Sequence, residues 1–109
     1  MGLPVEPSFI NDWISKLLCS LPSLRSHYGV QRLWLYGPHI RGKAAPGVPL
    51  DILADVAGPL SYDDFHALQA HLSELLALPV ELVLMGSMDP SIAEIVIPEM
   101  IEIVKKRDQ

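Results

Sequence analysis

The stretch Leu35-Tyr36-Gly37-Pro38-His39-Ile40-Arg41-Gly42-Lys43, followed by Leu50-Asp51-Ile52-Leu53, decides how this chain is read. Val30 to Tyr36 is rich in β-formers and carries apolar residues on both faces, as a central strand does. Gly37-Pro38 breaks it. His39 to Pro49 holds Gly42, Pro46, Gly47 and Pro49, so it has room for one helical turn and then a loop. Leu50 to Val56 alternates, with Leu50, Ile52, Ala54 and Val56 on one face and Asp51, Leu53 and Asp55 on the other. That is a strand pattern. The link between the two strands is too short for a packed crossover helix. At least one strand pair is therefore antiparallel or mixed.

Working outward, Ser8 is placed to cap a first helix. Phe9, Ile10, Trp13, Ile14, Leu17, Leu18 and Leu21 recur at helical spacing, and Pro22 is expected to stop the run. Ser23 to Gly29 then reads as a connection. On the other side, Gly58-Pro59 is a turn. Ser61-Tyr62-Asp63-Asp64 matches a capping box ahead of Phe65, Leu68, Leu72, Leu75 and Leu76. Pro79 to Met85 reads as a third strand. Pro90 opens a last helix through Ile92, Ile95 and Val96, limited by Pro98, and Ile101 to Val104 returns as a short edge strand. The pattern predicts an α/β fold, a small mixed sheet flanked by helices, in a single domain over 1–109.

The chain has 109 residues, half of them hydrophobic and 19% charged, enough apolar material for a core. Eight Lys and Arg stand against 13 Asp and Glu, a formal charge of −5. That balance argues against a broad face for duplex DNA. Cys19 is the one cysteine, so no internal disulfide and no CxxC metal motif is possible, and a reducing compartment is expected. The start lacks a signal-peptide pattern, and no apolar run approaches the roughly 18 residues of a membrane span. A cytoplasmic protein without membrane contact is the expectation.

The decisive stretch resembles the signature of the minimal nucleotidyltransferases, the antitoxin-type branch of the DNA polymerase β superfamily. Their pattern is a strand, Gly-Ser, two residues, Arg-Gly, a loop, Asp-x-Asp on the next strand, and a third carboxylate on a later strand. Gly37 matches the glycine, Arg41-Gly42 the Arg-Gly, Asp51 the second aspartate, and Glu81 the third carboxylate. Pro38 replaces the serine, which removes a hydroxyl and an N–H, and Pro49 replaces the first aspartate. The resemblance implies a nucleotidyltransferase fold. It implies catalytic and metal-binding roles for Asp51 and Glu81, and a phosphate- and nucleotide-binding loop of Gly37, Pro38, His39, Arg41 and Gly42. In such a site two Mg²⁺ about 3.5–4 Å apart clamp the attacking and leaving oxygens.

No other acid fills the gap. Asp55 shares a face with Asp51 but lies about 13 Å away at strand spacing. Asp63 and Asp64 are explained as helix-start residues. The resemblance, with its two departures, implies an antitoxin-type binding module with a degraded metal site and a HEPN-type ribonuclease toxin as partner. A homodimer is a family-level expectation. The alternative is an active Mg²⁺-dependent enzyme moving AMP from ATP to a hydroxyl of a protein partner, with Arg41 stabilising charge.

Each residue also has a plain structural reading. Asp51 and Glu81 would face solvent or pair with Arg41 or Lys43; as close like charges they would raise a pKa unless a cation sits between them. Arg41 would bond loop carbonyls or Asp51, and His39 would be a solvated loop residue. His66 and His71, five apart on a helix, lack the spacing of a zinc pair and read as surface residues. Trp13 and Trp34 read as core aromatics, Met85, Met88 and Met100 as gap fillers, and Lys105-Lys106-Arg107 as a solvated basic tail.

Overall fold

The computed structural model describes residues 7–42, 45, 47–87 and 100–103. The chain runs α1 (Pro7–Tyr28), β1 (Val30–Tyr36), β2 (Leu50–Val56), α2 (Tyr62–Leu76), β3 (Val80–Leu84), a 3₁₀ turn (Met85–Ser87) and β4 (Ile101–Glu102). The expected helix after Pro90, Met88, Lys43 and the basic tail lie outside the described residues.

The sheet order is β3-β2-β1-β4. β1 is central, as its apolar faces predict, and pairs antiparallel with β2 and β4. β2 and β3 are parallel and joined through α2. The sheet is mixed, as the short β1–β2 link requires.

α1 departs from expectation at both ends. It already includes Pro7, a residue suited to a first turn, so Ser8 lies inside the helix. It also runs through Pro22 to Tyr28. Pro22 is on the exposed side, and its missing N–H leaves the Leu18 carbonyl without its helical donor. The helix continues because the buried stripe does: Trp13, Leu17 and Leu21 are followed by Leu24, only 1% exposed. Burying a leucine contributes about 1.5–3 kcal/mol, comparable with the cost of a helical proline. Gly29, at φ +73°, ends the helix and donates its N–H to the Arg25 carbonyl at 3.0 Å.

α2 starts as predicted, with the Ser61 hydroxyl accepting the Asp64 N–H at 3.1 Å. Leu68, Leu72 and Leu76 face the sheet. With the α1 stripe they cover Leu33, Leu35, Leu50, Ile52, Ala54, Val80 and Leu82 in the main core. α2 also seals the β3 border. The Val80 N–H donates to Ser73 Oγ at 3.0 Å, and the Leu82 N–H to Gln69 Oε1 at 2.9 Å.

The opposite face of the sheet carries a second cluster of Trp34, Tyr36 and Leu53, with Val83, Met85 and Met100 against it. Register arranges this face in rows: Tyr36, Asp51 and Glu81, then Trp34, Leu53 and Val83, then Arg32 and Asp55. Among the described residues, no helix is long and apolar enough to cross a membrane.

Candidate functional site

Asp51 is the second residue of β2 and Glu81 the second of β3. Parallel pairing sets them opposite each other, and antiparallel pairing sets Tyr36 opposite Asp51. Strand alternation points all three to the face away from the helices. The two carboxyl groups are within hydrogen-bonding reach. Burial, then the bond to Glu81 and its charge, push the Asp51 pKa up from 3.8 to about 6, while nearby His39 pulls the other way. Burial, reinforced by both carboxylates, pushes the Tyr36 hydroxyl up to about 12.

Gly37 makes the approach of loop and strand possible. It adopts φ +86°, and a Cβ there would run into Asp51 Oδ2 and lie 3.2 Å from Cγ. From Gly37 the backbone makes the expected single helical turn. The Ile40 and Arg41 N–H groups donate to the Gly37 carbonyl at 3.1 and 3.3 Å, and the Gly42 N–H to the His39 carbonyl at 3.3 Å. Pro38 is half-buried, while Arg41 and Gly42 are exposed. Pro49 is exposed immediately before β2.

His39 is a correction. Instead of being a solvated loop residue it is 7% exposed. Its Nε2–H donates to the Val48 carbonyl at 2.6 Å, and its ring meets Trp13 edge-on at 5.7 Å. The imidazole thus ties both ends of the β1–β2 loop to α1. Sequence reading missed this because nothing in the spacing of His39, Val48 and Trp13 announces the contact. His66 and His71 are exposed, as expected, and Trp13 and Trp34 are buried. Asp55 has its own partner, Arg32, at 2.9 Å, and Arg32 in turn lies 5.0 Å over the Trp34 ring.

The structure therefore brings Gly37, Asp51 and Glu81 together, places His39 beneath the loop, and sets Arg41 at its surface. The carboxyl pair offers hard oxygen donors of the kind Mg²⁺ takes. Among the described residues, however, no group of three or more His, Cys, Asp or Glu is arranged to hold a metal ion. Position 49, immediately before β2, holds a proline and supplies no carboxylate, and below a pH of about 6 a proton on Asp51 competes with a cation. The donor set does not fit a two-ion clamp.

No protein-family model matches the chain. The protein adenylyltransferase MntA of Thermococcus cleftensis is 35% identical over 78 residues, which span 72% of this chain and 79% of that protein. A solved candidate minimal nucleotidyltransferase is 26% identical with a TM-score of 0.66, covering 83% of this chain and 92% of its own. A toxin–antitoxin structure with AMP-PNP superposes at a TM-score of 0.68 and 20% identity, covering 86% and 74% of the two chains. A tri-AMPylated HEPN toxin of Shewanella oneidensis in complex with its MNT antitoxin gives 0.63 and 18%, over 86% and 73%. The motif around Gly37 and Asp51, the mixed sheet that positions it, and the extent of identity to MntA together establish that this chain belongs to the minimal nucleotidyltransferase family.

Proposed function

We propose that this chain is an antitoxin-type member of its family that acts by binding a HEPN-type toxin, with its own nucleotidyl transfer lost or weak. The observation that carries this reading is the occupant of position 49. A proline stands where the family motif has its first carboxylate, and Asp51 beside Glu81 has its pKa raised to about 6. Pro38 removes a second element, the hydroxyl and N–H that would hold a phosphate oxygen. Binding makes no such demand on the site, since fold and chemistry are separable. The toxin complexes formed by the structural relatives supply the partner class.

A second reading is favoured by one retained feature, the clearance that Gly37 gives Asp51 beside Glu81. In it the chain transfers AMP from ATP to a toxin hydroxyl in the presence of Mg²⁺. Co-expression with a HEPN-type toxin separates the two. A binding module co-elutes with the toxin, keeps doing so after Asp51→Ala, and leaves the toxin mass unchanged in the presence of ATP and Mg²⁺. A toxin gaining AMP in a reaction that Asp51→Ala abolishes overturns the first reading. Failure to co-elute removes the antitoxin assignment altogether.

A further inference from the structure

A cleft of about 330 Å³ lies between the end of α1 and the middle of α2, lined by Ser23, Leu24, His27, Tyr28 and His71. It is on the helical side of the sheet, opposite the carboxyl pair. Two imidazoles from different helices share it, and both residues are exposed.

The His27 ring is already oriented. Its Nδ1 lies 2.9 Å from the Ser23 carbonyl oxygen. A carbonyl only accepts, so Nδ1 carries the hydrogen and the lone pair resides on Nε2. An N–H anchored on a backbone carbonyl is the arrangement that fixes tautomer and orientation in metal-ligating histidines. The location adds a field of the right sign. His27 sits in the last turn of α1, where unsatisfied carbonyls give the helix a partial negative charge that favours a cation.

We propose that this cleft is a binding site for a borderline divalent transition metal of the Zn²⁺, Ni²⁺ or Cu²⁺ class. His27 Nε2 and one ring nitrogen of His71 are its protein ligands, and water completes the coordination. Imidazole nitrogen selects these ions over Mg²⁺, which takes oxygen ligands. His71, badly spaced from His66 for a metal, thus finds its partner on another helix. Bound metal joins α1 to α2 directly and stabilises the packed arrangement, since the unfolded chain does not hold the two rings together.

Titration of the full chain with ZnCl₂, and separately NiCl₂ and CuCl₂, at neutral pH and followed by calorimetry tests the site. Saturable binding at one ion per chain is expected for at least one metal, with a rise in unfolding temperature. His27→Gln and His71→Gln should each weaken binding by more than about tenfold, while His66→Gln leaves it unchanged. Circular dichroism confirms that each variant is folded, and His27→Ala and His71→Ala serve where a glutamine variant is not. Absence of saturable binding for all three metals overturns the proposal. So does binding that survives either substitution, which would place the metal elsewhere. MgCl₂ competing for the site would overturn its metal class.

Discussion

Gly37 and Asp51 occupy one corner of the sheet so closely that the glycine has no room for a side chain: a Cβ there would overlap Asp51 Oδ2. Gly37→Ala therefore meets two penalties, the overlap and a left-handed backbone at φ +86°. The substitution should cost about 2–3 kcal/mol, of which only the backbone part, about 1–2 kcal/mol, remains in an Asp51→Ala background. Urea unfolding of the two single variants and the double variant checks this. Additive losses would show that the corner is not shared.

The raised Asp51 pKa makes stability depend on pH. Between 3.8 and about 6 the folded chain holds a proton that the unfolded chain has released, so stability falls as pH rises through that window. Because the group is partly solvated, the loss is about 1 kcal/mol. Asp51→Asn should recover that amount near pH 8, raising the unfolding temperature by about 4 °C, with little effect near pH 4. Thermal melts at the two pH values test the sign, and carboxyl NMR titration should show the Asp51 pKa falling in Glu81→Gln.

Replacing the two prolines by the residues of the family motif should create a ligand site. The double variant Pro38→Ser, Pro49→Asp returns a phosphate donor and a carboxylate to the places where the two prolines stand. Calorimetry should then detect Mg²⁺-dependent ATP binding at least about tenfold tighter than in the unaltered chain, a gain of about 1.4 kcal/mol or more. No gain would mean that the loop does not aim these positions at a shared ligand.

Pro22 is exposed in the interior of α1 and leaves the Leu18 carbonyl without its helical donor. Pro22→Ala should raise stability by about 1–2 kcal/mol, less than the full helical cost of proline because the proline also restricts the unfolded chain. Urea denaturation measures the change, with the slope unaltered. A lower midpoint would show that the ring packs usefully where it is.

His39 should matter more than a surface loop histidine does. His39→Ala removes the bond to Val48 and the edge contact with Trp13, and should cost about 2–3 kcal/mol. A shift in Trp fluorescence on the folded chain would accompany it. A loss below about 0.5 kcal/mol would return His39 to the ordinary surface class.

The sheet was legible because strands announce themselves by local patterning. β1 and β2 fall where the apolar runs Val30–Tyr36 and Leu50–Val56 stand, and Ser61 caps α2 as its spacing indicates. The end of α1 was not legible, since a local rule about Pro22 competes with burial of Leu24, which only the packed sheet supplies. In the site, the meeting of Asp51 and Glu81 follows from their positions on neighbouring strands. The clearance at Gly37 and the burial of His39 depend on how a loop folds back, and loop contacts leave no periodic trace in sequence.

The seal that Ser73 and Gln69 place on β3 has a consequence for assembly. An unpaired strand border is a template on which another chain can grow. Here the Val80 and Leu82 donors are already occupied by α2. A neighbouring chain seeking to extend the sheet from that side would first have to displace the Ser73 and Gln69 side chains from these donors. Two of the backbone donors on this border are thus withdrawn from pairing, which weakens it as a template for a second copy of the chain.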